Sequence, residues 1–103
     1  MEVICELRCV LHVSIPTESG NKMIQDPNGI QKLEEYVKMI KPEAAYFYER
    51  NGERTFFFAL DLASVDMIPS IAEPLFQAFN ARIEFHPAMT LDDVKNGVQR
   101  SKK

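Results

Sequence analysis

Asn51-Gly52, set between Tyr46-Phe47-Tyr48 and Thr55-Phe56-Phe57-Phe58, constrains the fold of this chain more than any other feature. Both central positions of a two-residue hairpin turn need positive φ, and Asn-Gly adopts that conformation with little strain. With those two residues as the loop, a register follows. Arg50 faces Glu53, Glu49 faces Arg54, Tyr48 faces Thr55, Phe47 faces Phe56, Tyr46 faces Phe57 and Ala45 faces Phe58. The pairs Arg50–Glu53 and Glu49–Arg54 are of opposite charge, which favours this register over a slipped one. Side chains alternate along a strand. One face therefore carries Ala45, Phe47, Phe56, Phe58 and Leu60, and the other Tyr46, Tyr48, Thr55, Phe57 and Ala59. The second face is half aromatic, and it needs a cover of its own.

The flanking segments supply the rest of a layer. Leu7, Cys9, Leu11, Val13 and Ile15 alternate with Arg8, His12 and Ser14, a first strand that Pro16 ends. From Gly20 to Lys41, the residues Met23, Ile24, Ile30, Leu33, Tyr36, Val37 and Ile40 form a helical stripe, interrupted at Asp26-Pro27-Asn28-Gly29. The expectation is two helical pieces, or a loop before one main helix from Gly29 to Ile40. Ser64 is placed to cap a second helix through Phe79, buried along Ile68, Ile71, Ala72, Leu75, Phe76 and Phe79, with a kink or break at Pro74. Ala81, Ile83 and Phe85 alternate with Arg82, Glu84 and His86 as a fourth strand. Thr90 then caps a short helix with Asp92 and Asp93 in its first turn. Gly97 is expected to end that helix, and residues 99–103 to form a disordered tail of a single domain spanning 1–103.

The order β-α-β-β-α-β closes most simply as an α+β fold of the ferredoxin-like kind. It has one antiparallel sheet in order 4-1-3-2, two helices on one face, and the short C-terminal helix beyond. The uncovered face then holds Val10, His12, Ser14, Tyr46, Tyr48, Phe57, Ala59, Arg82, Glu84 and His86. It has too many large apolar groups for a bare surface and too many polar ones for a dry core. A second copy packed face to face would bury the aromatics at a two-fold interface, so a homodimer is the expected partner. His12, Glu84 and His86 are the candidate catalytic residues, because imidazole exchanges protons near neutral pH and a carboxylate can orient it. Tyr46, Tyr48 and Phe57 are the candidate substrate-binding walls for a small, partly apolar organic molecule.

Other chemistries are disfavoured. The net charge of −3 argues against nucleic acid, whose affinity comes from excess Lys and Arg. RNA-recognition motifs share this topology, but here Thr55, Phe57 and Asp61 replace the residues that signature requires. Cys5 and Cys9 lie too far apart on a strand for a disulfide and lack companion ligands, so they are read as reduced core thiols and no metal site is expected. No cofactor motif is present. No apolar run suits a signal peptide or a membrane span, and a cytoplasmic location follows as the default expectation.

Several blocks carry a resemblance. They are Ser14-Ile15-Pro16 with Glu18, Gly20-Asn21 and Ile24; Lys41-Pro42-Glu43-Ala44-Ala45-Tyr46-Phe47; Gly52-x-Arg54-Thr55; Ile68-Pro69-x-Ile71-Ala72-Glu73-Pro74; and Ala78-Phe79-Asn80-Ala81 through Pro87-x-Met89-Thr90. Over Leu11 to Asp93 the chain resembles a family of small bacterial proteins without an assigned reaction, some of them labelled pantothenate synthetases; this chain shows no ATP-binding motif. By fold that family is similar to the dimeric α+β barrels. The resemblance implies a dimeric barrel and, should it catalyse, a cofactor-independent oxygenase or isomerase. The alternative is a non-catalytic dimeric binding or interaction module whose interface is filled. Leu75 stands where members often carry Trp.

Overall fold

The computed structural model describes residues 7–102. Its elements run β1 (Leu7–Ile15), α1 (Thr17–Gln25), α2 (Gly29–Ile40), β2 (Ala44–Arg50), β3 (Glu53–Leu62), a 3-10 turn (Val65–Met67), α3 (Ile68–Phe79), β4 (Arg82–Pro87) and α4 (Leu91–Ser101). The fold is α+β, with an open antiparallel sheet in the order β2-β3-β1-β4. The hairpin has the register its turn dictates, from Arg50 opposite Glu53 to Ala45 opposite Phe58. Asn51 and Gly52 take φ of 55° and 79°.

The core lies between the sheet and α1 to α3. Cys9, Leu11, Val13 and Ile15 from β1, with Phe56, Phe58, Leu60 and Leu62 from β3, pack against Met23, Tyr36, Ile71, Leu75 and Phe79. Period-2 burial in the strands meets period-3.6 burial in the helices, as two packed layers require. Tyr36 brings a polar atom into this core. Its hydroxyl donates to the Ile71 carbonyl at 2.8 Å, tying α2 to α3, and burial raises its pKa well above the usual phenol range. Tyr36→Phe removes the donor and leaves the ring. It should lower stability by about 1 kcal/mol, read as a reduced urea midpoint at unchanged slope.

Several local expectations are corrected. α1 begins at Thr17, directly after Pro16, rather than near Gly20. Thr17, Glu18 and Ser19 carry no apolar stripe, but Glu18 suits the positive end of a helix. Ser64 precedes the 3-10 turn, where its hydroxyl meets Asp66, and α3 starts only at Ile68. Pro74 does not break α3. The hydrogen bond it forfeits belongs to the carbonyl of Ser70, an exposed residue whose carbonyl water can serve. Phe76 is 42% exposed rather than buried, and Phe47 is 52% exposed because β2 lies at the sheet edge, only partly under α2. α4 continues through Gly97 to Ser101, taking in residues 99–101. Cys9 is a buried free thiol, and Cys5 lies outside the described residues.

α4 stands off the body. The radius of gyration is 16.2 Å and the long axis 56 Å, against about 13 Å for the radius of a compact chain of this size. Among the described residues, no helix is long and apolar enough to cross a membrane.

Candidate functional site

The site is the sheet face that α1 to α3 leave open, and strand pairing sets its rows. Tyr46, Phe57, His12 and Glu84 form one row across β2, β3, β1 and β4. Tyr48, Thr55, Ser14 and Arg82 form the next, and Ala44, Ala59, Val10 and His86 lie on the other side. All six residues picked out by alternation therefore share one face, and His12 sits at its centre.

Two hydrogen-bonded pairs occupy that centre. His12 Nδ1 lies 3.2 Å from the Tyr48 hydroxyl, a diagonal contact across β3. His86 Nε2 lies 3.0 Å from Glu84 Oε1 on the same strand. The two imidazole centroids are 6.4 Å apart, and the His12 ring meets Phe57 edge-on at 5.3 Å. The hydrogen bond from His86 holds the Glu84 carboxyl below the usual carboxylate range, with further help from the charges of His86, Arg50 and His12. Each imidazole thus has one nitrogen fixed by a partner and the other available to a ligand, the arrangement that orients an acid or base. Tyr46, 63% exposed, and Tyr48, 40% exposed, stand beside them as uncovered aromatic surface.

Depressions lie at both ends of this strip. Near the hairpin turn, a cavity of about 350 Å³ is lined by Ser14, Arg50, Asn51, Glu53, Arg82 and Glu84. Arg82 is ion-paired with Glu53 there. At the other end, one of about 400 Å³ is lined by Leu7, Arg8, Asp61, Pro87, Ala88, Met89 and Asp93. Arg8 Nε lies 3.2 Å from Glu43 and 3.7 Å from Asp61 in that region. Sequence reasoning did not select Arg50 and Arg82 as binding residues. The signal was present, since the hairpin register and the alternation of β4 both place them on this face. They add guanidinium groups next to Glu84, suited to a carboxylate or phosphate on a ligand. Among the described residues, no group of three or more His, Cys, Asp or Glu side chains is arranged to hold a metal ion.

Comparison with known proteins adds little to this geometry. No family model matches the chain, and no curated protein matches it. Among solved structures, a similar one is the de novo designed protein Foldit4. It is 16% identical, with a TM-score of 0.45, covering 84% of this chain and 99% of that chain. That likeness is too weak to carry an argument about function.

Proposed function

We propose that this chain is a ferredoxin-like protein that pairs with a second copy as a dimeric α+β barrel, and that the chamber between the two sheets binds a small, partly apolar organic molecule. The observation that carries the reading is the open face itself. Two partnered imidazoles sit in the middle of exposed aromatic surface, Tyr46 at 63% and Tyr48 at 40%. Apolar surface of this kind is normally covered, and a twin face is the cover a single chain can supply. Within the chamber, Tyr46, Tyr48 and Phe57 form the walls. His12 and His86 handle protons, and Glu84 orients the His86 ring through their hydrogen bond. This suits a cofactor-independent isomerase, in which the enzyme removes a proton from a bound organic substrate and returns one elsewhere, or a cofactor-independent oxygenase, in which dioxygen as co-substrate oxidises the deprotonated substrate and adds to it. The cytoplasm is the compartment we assign, where the Cys9 thiol stays reduced.

One observation favours a second reading. Both histidines already have partners on the face, Tyr48 and Glu84, so a filled, non-catalytic interface would leave neither of them unsatisfied.

Thermal-shift screening of metabolites on the purified protein, run beside sedimentation analysis, separates these readings. The expected result is a dimer with at least one stabilising compound. The double variant His12→Ala/His86→Ala should lose that response, and any turnover found, while its melting temperature changes by no more than a few degrees. A dimer that no compound stabilises is the filled interface. A monomer removes the chamber altogether.

A further inference from the structure

Two apolar surfaces of this chain stand uncovered among the described residues, and they match each other. The first is α4. Leu91, Val94 and Val98 are 75%, 40% and 46% exposed. Their i, i+3, i+7 spacing sets them in one stripe about 10 Å long. The start of the helix is firmly built. Thr90 Oγ1 accepts from the Asp93 backbone N–H at 3.1 Å, and Asp93 Oδ2 accepts from that of Thr90 at 3.0 Å. An isolated helix of 11 residues is nevertheless marginal in water, and Gly97 weakens it further. Its order calls for a packing partner.

The second surface is a groove of about 370 Å³ between α2 and β2, lined by Ile30, Leu33, Glu34, Val37, Lys38 and Phe47. Ile30 is 61% and Phe47 52% exposed. Ile30, Leu33 and Val37 repeat the same i, i+3, i+7 spacing, so the two stripes have equal length. Antiparallel docking sets Ile30 level with Val98 and Val37 level with Leu91. It also brings Glu34 beside Lys95 and Lys38 near Asp92, pairing opposite charges along one flank. Parallel docking leaves Glu34 and Lys95 on opposite flanks and loses the pair.

The groove of the same chain is out of reach. α4 follows β4 at one edge of the sheet, and the groove borders β2 at the other. About 14 Å of sheet and the helical layer lie between. The connection 88–90 extends only about 10 Å. A second copy removes the obstacle. A two-fold axis running parallel to the strands sets the β4 edge of one copy over the β2 edge of the other, beside the groove.

We propose that α4 of one copy docks antiparallel in the α2–β2 groove of a second copy, and that the exchange is reciprocal. The proposal rests on the two-copy reading above, and its test keeps the two apart. Val94→Asp/Val98→Asp alters only exposed positions, so the fold should survive, checked by an unchanged circular-dichroism spectrum of the sheet and core. Dimer affinity should fall at least about a hundredfold in sedimentation equilibrium, since a reciprocal exchange loses four half-exposed valines, two from each copy. Glu34→Lys and Lys95→Glu should each weaken the dimer, and together restore it. In a background with Cys5 and Cys9 replaced by Ser, a Leu33→Cys chain mixed with a tagged Val94→Cys chain should form a disulfide-linked heterodimer on oxidation. A dimer whose affinity ignores the α4 substitutions, or single-cysteine chains that form no linked heterodimer, overturns the exchange and leaves the sheet-to-sheet dimer standing. A monomeric wild-type chain overturns both.

Discussion

Phe58→Ala should lower the unfolding free energy by about 3–5 kcal/mol, the range for emptying a large aromatic site in a core. Phe58 lies on β3, an interior strand, and is 0% exposed. Its ring sits 6.1 Å from Tyr36, 6.0 Å from Phe47 and 6.2 Å from Phe56. Truncation removes its apolar area from the core and strips those rings of a contact. β1 lies on the far side of β3 from the hairpin partner, so backbone pairing on both sides resists collapse into the void. Single domains are stable by about 5–15 kcal/mol in all, so the variant should lose about a fifth or more of its margin. Urea unfolding followed by far-ultraviolet circular dichroism measures it. Phe57→Ala is the control, one residue along and on the opposite face. It should leave the isolated fold nearly intact and act instead on association. Equal losses from the two variants would show that the open face is not distinct from the core.

Gly29→Ala should cost about 3 kcal/mol, although alanine is the better helix former. A Cβ at Gly29 would lie 1.9 Å from the Met23 carbonyl oxygen and 2.9 Å from its carbon. Both are backbone atoms, so relief requires α1 and α2 to separate. The turn between them resists this. The Gly29 N–H donates to the Asp26 carbonyl at 3.0 Å, the Asn28 N–H donates to Asp26 Oδ1 at 2.9 Å, and Lys32 Nζ lies 3.1 Å from Asp26 Oδ2. Gly20→Ala provides the contrast. There the new Cβ meets Arg54 Nη1 at 2.6 Å, the far end of a flexible side chain that can swing aside. Thermal melts should show a large drop for the first variant and a small one for the second. Comparable melting temperatures would mean the α1–α2 turn yields easily.

The sequence carried those parts of the fold whose signals are local. Asn51-Gly52 set the hairpin register because the turn leaves one pairing open. Alternation in β1 and β4 sorted His12, Glu84 and His86 onto the face of Tyr46, Tyr48 and Phe57, and Thr90 marked the start of α4. What escaped depends on neighbours distant in sequence. The diagonal approach of Tyr48 to His12 arises only once β1 and β2 flank β3. Phe47 and Phe76 fit a buried pattern, yet the helical layer covers Phe47 only in part, and Phe76 lies on the flank of α3 beside its buried stripe of Ile71, Ala72, Leu75 and Phe79. Gly97 resembles a helix stop, but Asp92 and Asp93 in the first turn and Arg100 in the last carry the helix past it.

β2 places Tyr46, Phe47 and Tyr48 in succession on the outer strand of the sheet, each at least 40% exposed. Because neighbours on a strand point to opposite sides, a solitary copy shows greasy surface both above and below that border. Such a segment tends to recruit other chains into indiscriminate β-stacking. Glu43 before it and Glu49-Arg50 after it act as gatekeepers that blunt this tendency. Replacing those flanking charges with neutral residues should therefore raise the turbidity of a concentrated solution of the chain.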